Sequence, residues 1–323
     1  MRQAYRRAGV AAVQLVAQGL GVFVYVLWRV MSFIGQRLPL RLAYLIASLL
    51  GDCAYYVWRE GRLSAKANMA RVLRAQDARA VSRAARQSFR NYLKYLVDFM
   101  RFPRLSSQEV RERVLYDEWH HLDRALEQGK GIILVTAHFG NWDLGAAAVA
   151  ARGYKLNVIA ESFSYPPLNQ EIQGARAKLG MNIIPLERAG VSMIRALRRN
   201  ELLALLIDRP APGNGVTVTF FGEPVSVPAG PARLALRTGA KVIPVVLARA
   251  RGFSDRVLGI LDPTIDFEPS GDEARDIASL TGRIMASLER MMARYPEQWY
   301  MFRRLWTEPS PGMRPETVLV SET

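Results

Sequence analysis

One cysteine and three histidines in 323 residues leave little for disulfide or metal chemistry. Cys53 has no partner for an intrachain disulfide, and so few Cys and His side chains supply no ligand cluster, so no metal site is expected, although a carboxylate-only site stays open. Acidic side chains are also scarce. Against 44 Lys and Arg there are 29 Asp and Glu, and the net charge of +15 asks for an anionic partner such as lipid headgroups, phosphates or nucleic acid. The third of these lacks its reading elements: there is no helix-turn-helix signature, zinc-finger spacing or aromatic RNA-binding motif, so no nucleic-acid partner is expected. No internal repeat is evident. Half of the residues are hydrophobic, enough for a sizeable core in one large α/β domain or two small ones.

What the chain does have begins with an uncharged run at residues 8–28, held between Arg6-Arg7 and Arg29. About 20 apolar residues are what a bilayer-spanning helix needs, although Gln14, Gln18 and three glycines dilute this one. A second apolar stretch, residues 42–58, follows Pro39 and is interrupted by Asp52. A cleaved signal peptide or an ordinary buried helix pair are the alternatives; the flanking arginines and the lack of a small-residue cleavage site favour a membrane-inserted or interfacial helix. Next, Val81, Ala85, Phe89, Tyr92, Leu93, Leu96, Val97 and Met100 recur at helical spacing, while Arg79, Arg83, Arg86, Arg90 and Lys94 line another face. That spacing predicts a helix over residues 78–101 whose basic stripe is either solvated or set against an anionic membrane.

From Gly131 onward, strand-like runs alternate with helical ones: residues 132–136, 156–160, 181–185, 202–208, 216–220 and 241–250, with a further candidate at 257–265. Such alternation predicts an α/β fold with a mostly parallel central sheet flanked by helices. A closing helix over residues 273–294 would bury Ile277, Leu280, Ile284, Leu288 and Met291. The expected organisation is a membrane-associated helical region at 1–60 and a single α/β domain at 61–323.

The most informative stretch is Gly131-Ile-Ile-Leu-Val-Thr-Ala-His138-Phe-Gly-Asn-Trp-Asp143-Leu-Gly145. Its first half reads as a strand buried on both faces. Asn141 is then a good N-cap, Asp143 suits the positive end of a helix, and the alanine-rich residues 144–151 continue it. His138 therefore sits where a strand ends, the position at which open α/β sheets bind ligands, and Gly140 lets the backbone come close to a substrate. A neutral imidazole there takes a proton from an attacking alcohol, and a carboxylate on its other nitrogen fixes the tautomer. Asp143 is the expected carboxylate, meeting His138 across the turn, with Asn141 beside the substrate. A buried structural histidine is the competing reading. At the ends of other strand-like runs, Asp208, Arg209 and Glu161 are secondary candidates: Asp208 for the same crevice or an ordinary ion pair, Arg209 for a bidentate phosphate contact, Glu161 for the crevice or an exposed loop. Gly230 either turns the backbone near the donor or opens the helix that follows.

The stretch from His138 to Asp143 resembles the signature of the glycerolipid acyltransferase superfamily, and TAHFGNWDLG is most similar to the branch holding bacterial lipid A lauroyl/myristoyl acyltransferases and actinobacterial phosphatidylinositol mannoside acyltransferases. The likeness continues through Asp208-Arg-Pro-Ala-Pro-Gly to Gly222, through residues 227–245, and through Tyr295-Pro-Glu-Gln-Trp-Tyr-Met-Phe-Arg-Arg-Leu-Trp306. By resemblance, Asp208 with Arg209 matches the acidic-Arg pair of the mannoside branch, whose acidic residue supports the histidine. The Glu-Gly-Thr-Arg block of phospholipid-making members is absent, since Phe221-Gly-Glu-Pro-Val stands there, which disfavours glycerol-phosphate acylation. Met301-Phe302-Arg303-Arg304 replaces the His-Arg-Arg ending of lipid A enzymes and is closer to the mannoside enzymes.

The resemblance implies an O-acyltransferase on the cytoplasmic face of a bacterial inner membrane, moving a fatty acyl chain from acyl-CoA or acyl carrier protein to a hydroxyl of a glycolipid. Its partners would be anionic membrane lipid and that acceptor, and it would need no cofactor. His138 would be the general base, Asp143 its orienting partner and Arg209 a phosphate contact. A lipid or thioester hydrolase using the same pair, and a non-catalytic basic membrane-binding protein, are the rival expectations.

Overall fold

The computed structural model describes residues 2–74, 77–116, 118–210, 215–252 and 254–306, with side chains from residue 18 onward; residues 8–17 of the expected apolar run and 211–214 of the Asp208 block fall, wholly or in their side chains, outside that description. In chain order come α1 (Arg2–Arg37), α2 (Leu40–Val57), α3 (Arg59–Val72), α4 (Ala78–Arg101), α5 (Ser107–Arg113), β1 (Val114–Leu115), α6 (His120–Leu126), β2 (Ile132–Thr136), α7 (Trp142–Ala151), β3 (Leu156–Ala160), α8 (Pro166–Lys178) and β4 (Asn182–Pro185). They are followed by α9 (Ala189–Arg198), β5 (Leu202–Leu206), β6 (Gly215–Phe220), β7 (Glu223–Pro228), α10 (Gly230–Thr238), β8 (Lys241–Arg249), β9 (Val257–Leu261) and α11 (Glu273–Met292).

Seven strands form one sheet in the order β1-β9-β8-β2-β5-β3-β4, parallel throughout except where β9 runs antiparallel to β8. A fully apolar strand needs cover on both faces, and β2 has it. Ile133 and Val135 pack into one core with α10 and α11, while Ile132 and Leu134 pack into the other with α7 and α8, as the two-residue period of a strand requires. The sheet is therefore mostly parallel and flanked by helices, as expected, with β2 at its centre.

One expected strand belongs elsewhere. Residues 216–220 do form β6, but it pairs antiparallel with β7 in a separate hairpin, closed by Phe221 (φ 50°) and Gly222 (φ 83°). Two consecutive left-handed residues make the tight turn that matches the twist of paired strands, so the chain folds back before it can reach the large sheet.

The N-terminal helices lie against α4 on one side and are bare on the other. α2 buries Ala43, Tyr44, Ala47, Gly51 and Tyr55, and at Gly51 the helices come so close that a Cβ would stand 2.7 Å from the Cα of Arg90. Trp28 meets Phe99, and Tyr25 meets Tyr165, the residue just before α8. The opposite faces carry Leu20, Phe23, Val26, Phe33, Leu45 and Leu49, each exposed. By length and composition, residues 18–37 and 40–57 are each sufficient to cross a membrane. Part of the basic stripe on α4 is engaged within the protein. Arg86 and Arg90 both grip Asp52 of α2 through two hydrogen bonds each, and Lys94 is buried.

Candidate active site

The register of β2 with its parallel neighbour β5 sets the centre of the site. Thr136 stands opposite Leu206, and the Ile207 N–H still donates to the Thr136 carbonyl at 3.1 Å. Two residues beyond each strand end, the same offset brings His138 opposite Asp208. The His138 ring Nδ1 lies 2.8 Å from Asp208 Oδ1, and the His138 backbone N–H donates to Oδ2 at 3.0 Å. An ionised carboxylate can only accept, so the ring proton belongs on Nδ1 and Nε2 keeps its lone pair.

Exposure divides the labour between them. The Asp208 side chain is 1% exposed and that of His138 19%, so the imidazole can meet a substrate while its partner is sealed from water. Trp299 completes the seal, its indole N–H donating to Asp208 Oδ2 at 2.9 Å, and the neighbouring Tyr300 N–H donates to the His138 carbonyl at 2.9 Å. Burial pushes the Asp208 carboxyl up; the charge and hydrogen bonds of His138, with the Trp299 indole, outweigh it and hold the carboxyl below its ordinary value.

Asp143 does not partner His138, which corrects the expectation drawn from their five-residue spacing. Asn141 does cap α7, its side chain accepting from the Leu144 N–H, and Asp143 does occupy the first turn. But Arg176 of α8 donates to both oxygens of Asp143, at 2.7 and 3.1 Å, and the Tyr95 hydroxyl of α4 donates at 2.7 Å. Those donors hold the carboxylate on the far side of Trp142, whose ring packs edge-on against His138 with centroids 5.4 Å apart and stacks on Tyr95 at 4.1 Å. Burial raises the Tyr95 hydroxyl well above its ordinary value, with the Asp143 charge acting in the same direction. Burial also works against the Arg176 charge, yet Asp143 more than offsets it and the guanidinium is held above its ordinary value. Asp143 thus reaches the histidine only through packing, via Tyr95 and Trp142.

Two further expectations change. Gly140 is glycine because β8 comes close: at φ 58° a Cβ there would stand 1.7 Å from the Leu247 carbonyl oxygen, so the close approach is to backbone and not to a substrate. Asn141 is fully buried, with its side-chain amide donating to Asp98 at 2.8 Å, and is spent on structure. Arg209 and Glu161 do surface together beside the site, paired at 3.3 Å with side chains 45% and 73% exposed. Among the described residues no group of three or more His, Cys, Asp and Glu side chains is arranged to hold a metal ion.

Behind Trp142, between the sheet and α7, lies a small apolar cavity of about 50 Å³. Leu134, Thr136 and Leu247 wall it from the sheet, and Gly145, Ala146 and Val149 from the helix. Reading from sequence missed Tyr95, Arg176 and Trp299. Trp299 sits in the Tyr295–Trp306 block noted for its resemblance, which was the available signal; Tyr95 and Arg176 lie on helices far from the motif and gave none.

The sequence profile of the family described as bacterial lipid A biosynthesis acyltransferase matches residues 14–308. The chain is similar to the phosphatidylinositol mannoside acyltransferase of Mycobacterium tuberculosis, 30% identical over 259 residues that cover 78% of this chain and 79% of that protein. The protein of the same name from Mycolicibacterium smegmatis is 30% identical over 264 residues, 80% of this chain and 84% of its own.

Proposed function

The chain belongs to the bacterial lipid A biosynthesis acyltransferase family and is an acyltransferase of the lipid A and phosphatidylinositol mannoside type, and from that premise we propose that it transfers a fatty acyl chain from acyl-CoA or acyl carrier protein to a hydroxyl of a membrane glycolipid. His138 Nε2 takes the proton of the acceptor hydroxyl as its oxygen attacks the thioester carbonyl. The tetrahedral intermediate collapses, the C–S bond breaks, and the imidazolium returns the proton to the departing thiolate. Asp208 holds the tautomer and stabilises the imidazolium between these steps. No resident cofactor is asked for.

The observation that carries this reading is the 2.8 Å pair of His138 and Asp208 at the ends of adjacent parallel strands, next to a small apolar cavity. Arg209, exposed at the same edge, takes a phosphate of donor or acceptor. The bare apolar faces of α1 and α2 support docking of the N-terminal region on a membrane, at the cytoplasmic face of the inner membrane where acyl thioesters are found, with the net charge of +15 drawing the protein to anionic lipid. The acceptor is a lipid A precursor or a phosphatidylinositol mannoside.

Purified protein incubated with labelled acyl-CoA, with and without bacterial glycolipid, tests the reading. Label moving into lipid only when the acceptor is present supports it. Release of free fatty acid at the same rate without acceptor makes the protein a hydrolase, and an inert label leaves only a binding protein.

A further inference from the structure

Given the acyltransferase reading above, on which this rests, we infer that Asp98 is a positioning residue for the reaction and that α2 takes part in it, because one buried cluster ties α2 to the turn that carries His138. Asp98 of α4, Tyr44 of α2 and Arg249, the last residue of β8, are all buried. The Tyr44 hydroxyl donates to Asp98 Oδ1, and Arg249 Nη2 donates to Oδ2. Arg249 Nη1 also donates to the Tyr44 oxygen at 2.9 Å, so each of the three touches the other two.

Two routes lead from this cluster to the base. The first is direct. The Asn141 side-chain amide donates to Asp98 Oδ2 at 2.8 Å, which turns its carbonyl toward the start of α7, where it accepts from the Leu144 N–H. Asn141 stands three residues after His138. The second route runs through Arg249, whose backbone N–H donates to Gln298 Oε1 at 2.6 Å and whose carbonyl accepts from Gln298 Nε2 at 2.9 Å. The Gln298 carbonyl in turn accepts from the Gly140 N–H at 2.9 Å. Trp299, next in the chain, is the indole donor to Asp208, and the Tyr300 N–H holds the His138 carbonyl. His138 and Asp208 are therefore both gripped by a segment that the cluster fixes.

Stability alone is a weak reason for such a pair, since taking two charges out of water costs about as much as their attraction returns. Direction is a better one. A carboxylate that accepts from three donors on three elements admits one arrangement of α2, β8 and the turn. Burial works against the Arg249 charge, yet Asp98 more than offsets it and the guanidinium is held above its ordinary value. The helix whose other face is bare, with Leu45 and Leu49 exposed, thus reaches the base through Tyr44. Misplacing a reacting group by about 1 Å can cost about 10²-fold in rate, so small movements of this frame register in turnover.

The test compares wild type with Tyr44→Phe and, as a control on the same helix, Tyr55→Phe, which alters a buried tyrosine outside the cluster. Each is assayed for transfer from acyl-CoA to detergent-dispersed glycolipid, so that seating on a bilayer plays no part, with rates corrected for the folded fraction. The Nδ1–H proton of His138 is followed by NMR in protein carrying isotope-labelled histidine, assigned by its loss in His138→Ala. Tyr44→Phe is expected to lower kcat about tenfold with KM within about twofold, and to move the ring proton, while Tyr55→Phe does neither. Asp98→Asn alone strands the Arg249 charge, so it is combined with Arg249→Met, and the double variant is expected to lower kcat about 10²-fold. Should that protein not fold, Tyr44→Phe decides alone. Wild-type kcat in folded Tyr44→Phe, an unmoved ring proton, or an equal fall in Tyr55→Phe overturns the positioning role and leaves the acyltransferase reading standing. Wild-type protein that transfers from no acyl-CoA overturns that reading, and the ring proton still tests the link from Tyr44 to His138.

Discussion

Two buried carboxylates flank the turn after β2, and their partners give them different work. Asp208 accepts from a titratable ring, an indole and a backbone amide, and its aperture to the outside is His138. Asp143 accepts from a permanently charged guanidinium and a phenol whose proton burial locks in place. A carboxylate facing a group that gains and loses a proton can assist proton transfer; one facing Arg176 is an ion pair tying α7 to α8 and α4. The aspartate nearer in sequence is held by an arginine and a phenol, and the aspartate seventy positions away is next to the proposed base.

The comparison breaks most readily at the histidine. His138→Ala is expected to lower kcat/KM by about 10²–10⁴-fold, since a positioned base contributes that much, with a modest loss of thermal stability because buried Asp208 loses the ring as a hydrogen-bond donor. Asp208→Asn follows, with a loss of about 10²-fold or more in kcat and little in KM, because the ring loses its tautomer and its counter-charge together. Asp143→Asn inverts the pattern. It leaves a largely buried guanidinium without its counter-charge, a loss of about 3–5 kcal/mol seen in denaturant unfolding, while turnover per folded molecule stays within a few-fold; adding Arg176→Met recovers part of the stability. Trp299→Phe removes one hydrogen bond to the charged Asp208, about 1.5–3 kcal/mol, with a matching fall in kcat.

The smallest effect is on acid stability. Asp208 is held below its ordinary 3.8, so the stability it contributes is fully present above that value and is lost as pH falls through the lower folded value. The gap in unfolding free energy between wild type and Asp208→Asn is expected to narrow below about pH 3.8, measured by denaturant titration. A gap that widens on acidification contradicts the assignment of the partner.

Local patterns carried much of the fold into view. The apolar run of β2, the Asn141 cap and the amphipathic stripe of α4 are written over adjacent residues, and these elements begin and end where their residues say. Pairing is a different matter. That β5 lies beside β2, with the register that sets Asp208 opposite His138, depends on residues seventy apart; spacing alone favoured Asp143, and Asp208 came into view only as a secondary candidate, from its place at a strand end and from the family likeness. The β6–β7 hairpin shows the same limit: Val216 to Phe220 has strand composition, but Phe221-Gly222 decides which sheet it joins. Gly140 and Asn141 looked available to a substrate because nothing local records that Leu247 and Asp98 fill the space beside them.

The most direct test of the account is a single-turnover comparison of Asp208→Asn and Asp143→Asn, with labelled acyl-CoA and glycolipid acceptor and rates corrected for the folded fraction of each protein. The account predicts a rate about 10²-fold or more below wild type for Asp208→Asn and within a few-fold of wild type for Asp143→Asn. The opposite order, with Asp143→Asn slow and Asp208→Asn near normal, would contradict the dyad and return catalysis to the pair five residues apart.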